Sequence, residues 1–154
     1  MNPIRIGAVS YLNTKPLVHE LEALAPQAEL ILDYPSRLAD QMARGELEVA
    51  LIPVIEYFRA GTYSLVPNIA IASQGPVLSV TLFSRTPWTQ IRRVSLDEGS
   101  RTSAALTQVL LRKKYGVRPE VCPLPLDRPA EDKSISPRSP RSCHLCPGRW
   151  TCMT

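Results

Sequence analysis

The first seventeen residues constrain the fold most, because a short apolar segment runs directly into polar residues that open a helix. The apolar residues Ile4, Ile6, Ala8 and Val9 predict a largely buried strand. Pro16 suits the first turn of a helix, and the apolar spacing of residues 17–24 continues that helix. Backbone amides at a helix start have no partner within the helix. The junction over residues 10–14 is therefore a candidate site for an anion.

The segment that follows alternates strand and helix up to residue 124. Apolar segments bounded by turn residues predict strands over 28–34, 48–53, 65–72, 77–84, 93–96 and 120–124. Helical patterns begin at Pro35-Ser36, cover 53–60, and cover 102–115 with Gly116 as a C-cap. The alternation predicts an α/β fold with a mainly parallel sheet. Because the pattern restarts near Pro87, we expect a first lobe over 1–86 and the start of a second lobe over 87–132.

Charge, periodicity and cysteine usage all change near residue 133. All 14 acidic residues lie before this point together with 14 of the 18 basic residues, so the body is neutral and the net charge of +4 belongs to the tail. A neutral body without a basic stripe argues against nucleic-acid binding. Residues 133–154 are typical of a disordered tail or of a foreign reading frame after a truncation, and we favour the foreign frame.

The sequence lacks the signals that mark several classes of protein. No run of about 18 apolar residues predicts a membrane span, and the first residues do not resemble a secretion signal, so we expect a cytoplasmic protein without membrane contacts. Cys143 and Cys146 have no second pair at metal-site spacing, so no metal is expected. No phosphate loop or dinucleotide fingerprint indicates a cofactor.

Polar residues recur at four strand ends and helix starts, and this recurrence is the main functional signal. The four clusters cover residues 10–14, 35–36, 73–79 and 99–103. Hydroxyl and amide donors without buried carboxylates favour a small anion as the ligand. Helix capping is the alternative for Asn13, Ser36 and Thr102, and packing within a strand is the alternative for Ser79.

Two further candidates are weaker. His19 lies within the predicted first helix beside Glu20, where a lone histidine is more often a surface or packing residue than a catalyst. Asp97 and Glu98 precede a glycine loop, but adjacent side chains in a loop usually diverge and stay solvated, which argues against a general-base pair.

Three segments together resemble the chorismate dehydratases of menaquinone biosynthesis by the futalosine route. They are Ile6-Gly-Ala-Val-Ser-Tyr-Leu-Asn-Thr-Lys-Pro-Leu17, Ala72-Ser-Gln-Gly-Pro-Val-Leu-Ser79 and Gly99-Ser-Arg-Thr-Ser103. The resemblance covers residues 3 to about 132. It implies a type II periplasmic-binding-protein-like fold, here a first lobe plus an incomplete second lobe. It also implies a cytoplasmic lyase without a cofactor that removes water from chorismate to give 3-[(1-carboxyvinyl)oxy]benzoate.

The resemblance also implies roles for individual residues. Asn13 corresponds to the family's catalytic asparagine, and Ser79 corresponds to its active-site serine. The substrate-binding residues it implies are Ser10, Tyr11, Ser36, Ser73, Gly75, Ser100, Thr102 and Ser103. Two alternatives stay open: a small-carboxylate binding protein without catalysis, and the related 1,4-dihydroxy-6-naphthoate synthase, which is expected to use a histidine base.

Overall fold

The computed structural model describes residues 3–75, 77, 80–124 and 151–153. The chain divides into two compact units, Met1–Ala72 and Ser73–Thr154, and each is described by itself. The lobe limits expected from the sequence, 1–86 and 87–132, stay predictions. The predictions made for Ser79 and for residues 133–150, including Cys143 and Cys146, lie outside the described residues.

A three-stranded parallel sheet organises the first unit, in the order β2–β1–β3. The strands are β1 (Ile4–Val9), β2 (Ala28–Asp33) and β3 (Val49–Ala50). The helices are α1 (Lys15–Val18) and α2 (Leu21–Leu24) before β2, α3 (Pro35–Ala43) before β3, and α4 (Val54–Ala60) after it. β2 and β3 lie on opposite sides of β1, so the two successive crossovers run in opposite directions across the sheet. Right-handed crossovers therefore place α1 and α2 on one face of the sheet and α3 on the other.

The core of the first unit lies between the sheet and α3. Val9, Leu38 and Leu47 are buried together, and Leu38 is fully buried. Gly7 lies under this cluster, because a Cβ at this position would come within 2.7 Å of Leu47 Cδ1 and 2.8 Å of Leu38 Cδ2. The missing side chain at Gly7 is therefore what allows α3 to approach the middle of β1.

The structure corrects three predictions in the first unit. The helix predicted over 17–24 is interrupted at Glu20, whose left-handed backbone (φ 57°) separates α1 from α2. A left-handed residue cannot continue the i to i−4 hydrogen bonds of a helix. The strand predicted over 48–53 is only Val49–Ala50, and residues 65–72 form no strand. β-propensity alone makes no strand where a segment has no neighbour to pair with.

The second unit contains a β-α-β segment and a short antiparallel pair. β4 (Leu82–Ser84) pairs antiparallel with β7 (Thr151–Met153), while β5 (Arg93–Asp97) pairs parallel with β6 (Glu120–Leu124). Within the strand predicted over 77–84, only Leu82–Ser84 is strand, which corrects the prediction at Val77, Val80 and Thr81. Leu78 and Ser79 lie outside the described residues.

Helix α5 (Arg101–Tyr115) connects β5 and β6 and confirms the sequence prediction to within one residue. Leu111 is fully buried, and Val94 and Leu96 on β5 are buried as well. The helix ends at Gly116, which has a left-handed φ of 70° and donates its N–H to the Leu111 carbonyl. The predicted glycine C-cap is therefore confirmed. Together the two units show the mixed α/β architecture with parallel sheets that the alternation predicts.

Candidate functional site

The first junction follows β1 and carries the residue expected to be catalytic. The N–H of Ser10 donates to the Asp33 carbonyl at 3.2 Å, which extends the pairing of β1 with β2 by one residue. A short 3-10 helix over Leu12–Thr14 follows, and its backbone is tied by the Thr14 N–H to the Tyr11 carbonyl at 3.1 Å. Asn13 is exposed on this turn. Asn13 is thus inside the turn, and the N-cap position belongs to Tyr11.

Thr14 differs from its neighbours because its side chain is buried. The residue is 1% exposed, and its hydroxyl has no hydrogen-bond partner within the part of the chain that the structure describes. The polar cluster over 10–14 is therefore split: Ser10, Tyr11 and Asn13 face solvent, while Thr14 belongs to the interior. A buried hydroxyl without a hydrogen bond lowers the stability of the fold. The Thr14 hydroxyl also caps no helix, because it makes no hydrogen bond to a backbone amide at the start of α1.

The second junction lies between β2 and α3, and it corrects the assignment of Ser36 as an N-cap. Tyr34 occupies the N-cap position, because its carbonyl accepts the Leu38 N–H at 3.0 Å and its backbone is extended. A residue before proline avoids the helical region, so Pro35 forces the helix to begin directly after Tyr34. Ser36 lies in the first turn and is 5% exposed. Its backbone amide is one of those at the helix start.

These two junctions lie side by side at the carboxyl edge of the sheet, since Val9 is the register partner of Asp33. The rings of Tyr11 and Tyr34 meet edge to face with centroids 6.4 Å apart. The guanidinium of Arg37 lies 5.4 Å from the centre of the Tyr34 ring. The edge therefore combines two aromatic rings, a cation and a helix start. These groups suit a ligand that carries both a ring and a carboxylate.

Asp33 holds this arrangement in place. Its Oδ1 accepts the Tyr34 N–H at 2.7 Å, and its Oδ2 accepts the side-chain amide of Gln41 at 3.1 Å. Arg37 Nη1 lies 3.7 Å from Asp33 Oδ1. Sequence reasoning missed Asp33, Tyr34 and Arg37. The available signal was the four-residue spacing of Arg37 and Gln41, which places them on one side of α3. Both side chains face Asp33 at the end of β2.

The third cluster is a turn at the start of the second unit. Ser73 donates its hydroxyl to the Gly75 carbonyl at 3.1 Å, and both residues are exposed. Gly75 has a φ of 108°, a conformation that side-chain-bearing residues rarely adopt. The contacts of Ser73 are thus those of a turn-forming residue. The predicted catalytic Ser79 lies outside the described residues, so its role stays a prediction.

The fourth cluster opens α5. Asp97 fixes the loop, because its Oδ1 accepts the Gly99 N–H at 2.9 Å and its carbonyl accepts the Ser100 N–H at 3.2 Å. Ser100 occupies the N-cap position, but its hydroxyl donates to the Ser103 hydroxyl at 2.7 Å and caps no backbone amide. Thr102 lies within the first turn and is not the N-cap. The structure thus brings two of the three predicted hydroxyl residues together at this helix start.

The titratable groups with shifted pKa values lie away from these junctions. The pKa of Glu48 is lowered to about 2, mainly because its carboxylate accepts hydrogen bonds from the Arg5 side chain and backbone. Arg5 lies near the start of β1, at the opposite end of that strand from Ser10. His19 is exposed at the end of α1, 3.7 Å from Glu20. Shifted pKa values therefore do not mark the candidate site.

The described residues offer neither a metal site nor a membrane span. Among them, no group of three or more histidine, cysteine or acidic side chains could hold a metal ion. The helices that the structure describes are all too short or too polar to cross a bilayer.

Comparison with known proteins places the chain in a family. The molecule is a mixed α/β protein whose parallel strands lead into polar helix starts. The chain belongs to the menaquinone biosynthesis family, whose model matches residues 4–135. It is also 30% identical over 114 residues to the chorismate dehydratase of Thermus thermophilus. That match covers 73% of this chain and 41% of the Thermus enzyme, so the chain spans about two fifths of the length of this relative.

Proposed function

We propose that this protein acts on chorismate as a dehydratase, with the type II periplasmic-binding-protein-like fold implied by the sequence. The observation that carries the proposal is the junction edge of the first unit, defined as Ser10, Tyr11, Asn13, Tyr34 and Arg37. There two aromatic rings and a guanidinium lie beside exposed polar side chains. The similarity to the Thermus enzyme supports chorismate as the substrate.

Chorismate carries two carboxylates, a ring and a ring hydroxyl, and the junction edge offers partners for a carboxylate and for the ring. Arg37 and the start of α3 bind one carboxylate, while Tyr11 and Tyr34 contact the ring. Ser36 belongs to this set as the resemblance implies. In the second unit, the resemblance implies substrate-binding roles for Ser73, Gly75, Ser100, Thr102 and Ser103.

The reaction is the loss of one water from chorismate. The carbon-3 proton and the carbon-4 hydroxyl leave, and the ring becomes aromatic in 3-[(1-carboxyvinyl)oxy]benzoate. An amide cannot abstract a ring proton at neutral pH, so Asn13 and Ser79 orient the substrate. One of the substrate's own carboxylates accepts the proton. Aromatisation supplies much of the driving force for the overall reaction.

Turnover and binding of chorismate by the purified chain test the proposal together. Wild-type protein is expected to bind chorismate in calorimetry and to release the aromatic product in chromatography. Asn13→Ala is expected to lower turnover at least about 100-fold while the Kd changes less than about tenfold, because positioning acts mainly on the reacting complex.

Gln27→Ala is the matched control, because it removes an exposed amide that lies just before β2 and away from the junction edge. It should leave both quantities unchanged. Equal turnover of Asn13→Ala and wild type would contradict the assignment of Asn13. Tight binding without product would favour a carboxylate-binding protein, and the absence of both would contradict the proposed substrate.

A further inference from the structure

Asp33 is an acidic residue beside a site that we propose to bind an anion. It ends β2, and its Oδ1 lies 3.7 Å from Arg37 Nη1. Arg37 is the cation of the junction edge, so a ligand carboxylate that binds it also approaches the negative charge of Asp33. Like charges repel, and on charge alone Asp33 therefore lowers the affinity of this edge for an anion.

The same contact restrains the side chain that would meet the ligand. Arg37 lies in the first turn of α3, and its side chain is 52% exposed. An exposed arginine samples many rotamers and loses conformational entropy when a ligand fixes it. Here the guanidinium lies between Asp33 and the Tyr34 ring, whose centre is 5.4 Å away. A side chain that is already held in place loses less entropy on binding, which raises the affinity.

Two hydrogen bonds fix the Asp33 carboxylate itself. Its Oδ1 accepts the Tyr34 N–H at 2.7 Å, and its Oδ2 accepts the Gln41 side-chain amide at 3.1 Å. One carboxylate thus connects the end of β2 with the N-cap of α3 and with two side chains of that helix. A support that is itself locked by hydrogen bonds can hold a binding side chain in one geometry.

Restraint and repulsion act in opposite directions, and the exposure of Arg37 decides between them. A ligand that binds the exposed side of the guanidinium lies farther from Asp33 than the guanidinium does. Water and salt screen interactions between exposed charges more strongly as their separation grows. The repulsion of the ligand is therefore weaker than the attraction that holds Arg37.

We propose that Asp33 is a positioning residue for anion binding. It raises the affinity of the junction edge for a carboxylate by holding Arg37 beside the Tyr34 ring, so the net effect of its negative charge favours a negative ligand. The inference rests on the proposed function for the role of Arg37, but it applies to any ligand that carries a ring and a carboxylate. Benzoate is such a ligand and serves as a second probe beside chorismate.

Asp33→Asn separates restraint from repulsion, because it removes the charge and keeps the shape of the side chain. The asparagine Oδ1 still accepts the Tyr34 N–H, and Gln41 can present its amide oxygen to the new amide group. Calorimetry on the purified full chain measures the Kd of chorismate and the Kd of benzoate. We expect both to rise about two- to fivefold, the range that corresponds to an exposed ion pair. Dominant repulsion would lower both instead.

A double-mutant cycle with Arg37→Gln shows whether the effect passes through Arg37. In the Arg37→Gln background, Asp33→Asn should no longer raise either Kd, because no guanidinium remains to be held. Asp40→Asn is the matched control, because it removes an exposed carboxylate of α3 whose charge acts on Arg44 at the end of the helix. It should leave both Kd values as in wild type. Circular dichroism spectra that match wild type show that each variant folds.

The outcomes separate this inference from the proposed function. Equal or tighter binding of both probes by Asp33→Asn would overturn the positioning role. The same loss in the Arg37→Gln background would overturn it too, because Asp33 would then act through the fold in general. If wild type binds benzoate but not chorismate, the proposed substrate is wrong, and weaker benzoate binding by Asp33→Asn still supports the positioning role. Binding of neither probe by wild type would overturn both.

Discussion

The substitution Gly7→Ala tests the packing that positions the first junction. Gly7 lies in the middle of β1, with Ile31 and Ala50 as register partners. A Cβ there would lie 2.7 Å from Leu47 Cδ1, 2.8 Å from Leu38 Cδ2 and 3.1 Å from Ala50 Cβ. Each distance is shorter than the roughly 3.5–4.0 Å that is optimal between carbon atoms.

The loss of stability in Gly7→Ala depends on how far the side chains of Leu38 and Leu47 can move away from the new Cβ. Leu38 is 0% exposed and Leu47 is 4% exposed, so neither side chain can turn toward solvent. Overpacking of a close-packed core costs about 1–3 kcal/mol. Replacing glycine restores about 0.5–1 kcal/mol through the unfolded chain. We therefore expect the first unit to lose about 1–2 kcal/mol of its free energy of unfolding.

Native-state hydrogen exchange measures this loss in each unit separately. Peptides from β1 and α3 should exchange about 5–30 times faster in Gly7→Ala, since that ratio corresponds to about 1–2 kcal/mol. Peptides from α5 serve as the internal reference and should not change. The double variant Gly7→Ala/Leu47→Val should lose less than the sum of its single variants, because valine lacks the atom that clashes. Unchanged protection in Gly7→Ala, or strict additivity in the double variant, would refute the packing argument.

Three further predictions concern charge, substrate and the second unit. The pKa of Glu48 is lowered from 4.5 to about 2, so its ion pair with Arg5 stabilises the fold above about pH 4.5. This contribution is lost as the pH falls toward 2. Glu48→Gln should abolish that part of the pH dependence of the free energy of unfolding, measured with urea. Arg37→Gln should weaken chorismate binding about tenfold in calorimetry, while Arg59→Gln, which removes another exposed cation, should not. Leu111→Ala should destabilise α5 by about 2–4 kcal/mol in hydrogen exchange, whereas Leu106→Ala, at a position that is 52% exposed, should cost less than about 1 kcal/mol.

Elements with a strong local signal were predictable from the sequence. β1, β2, α5 and β6 agree with their predictions to within one residue at each end. Each has a clear apolar period or a distinct stop signal, such as Gly116 after α5. The first helix was not predictable, because its apolar spacing continues past the break at Glu20. Residues 65–72 have the composition of a strand but form none, and composition does not show pairing.

The arrangement of the predicted site residues was predictable only in part. The polar residues after β1 and before α3 follow strand ends, and in the parallel sheet these two junctions lie at one edge. The sequence does not show that Tyr34 takes the N-cap position from Ser36, which follows from the restriction that Pro35 imposes. Nor does it show that Tyr11 and Tyr34 meet, because their contact depends on the parallel register of β1 and β2.

The most direct test of the central claim is amide mapping by NMR on the isotope-labelled chain titrated with chorismate. We expect chorismate to shift the amides of residues 10–14 and 36–37 in the first unit. Amides near Arg5 and Glu48, at the opposite end of β1, should stay unchanged. Shifts confined to other surfaces, or no shifts at saturating chorismate, would contradict the claim that these helix starts bind the substrate.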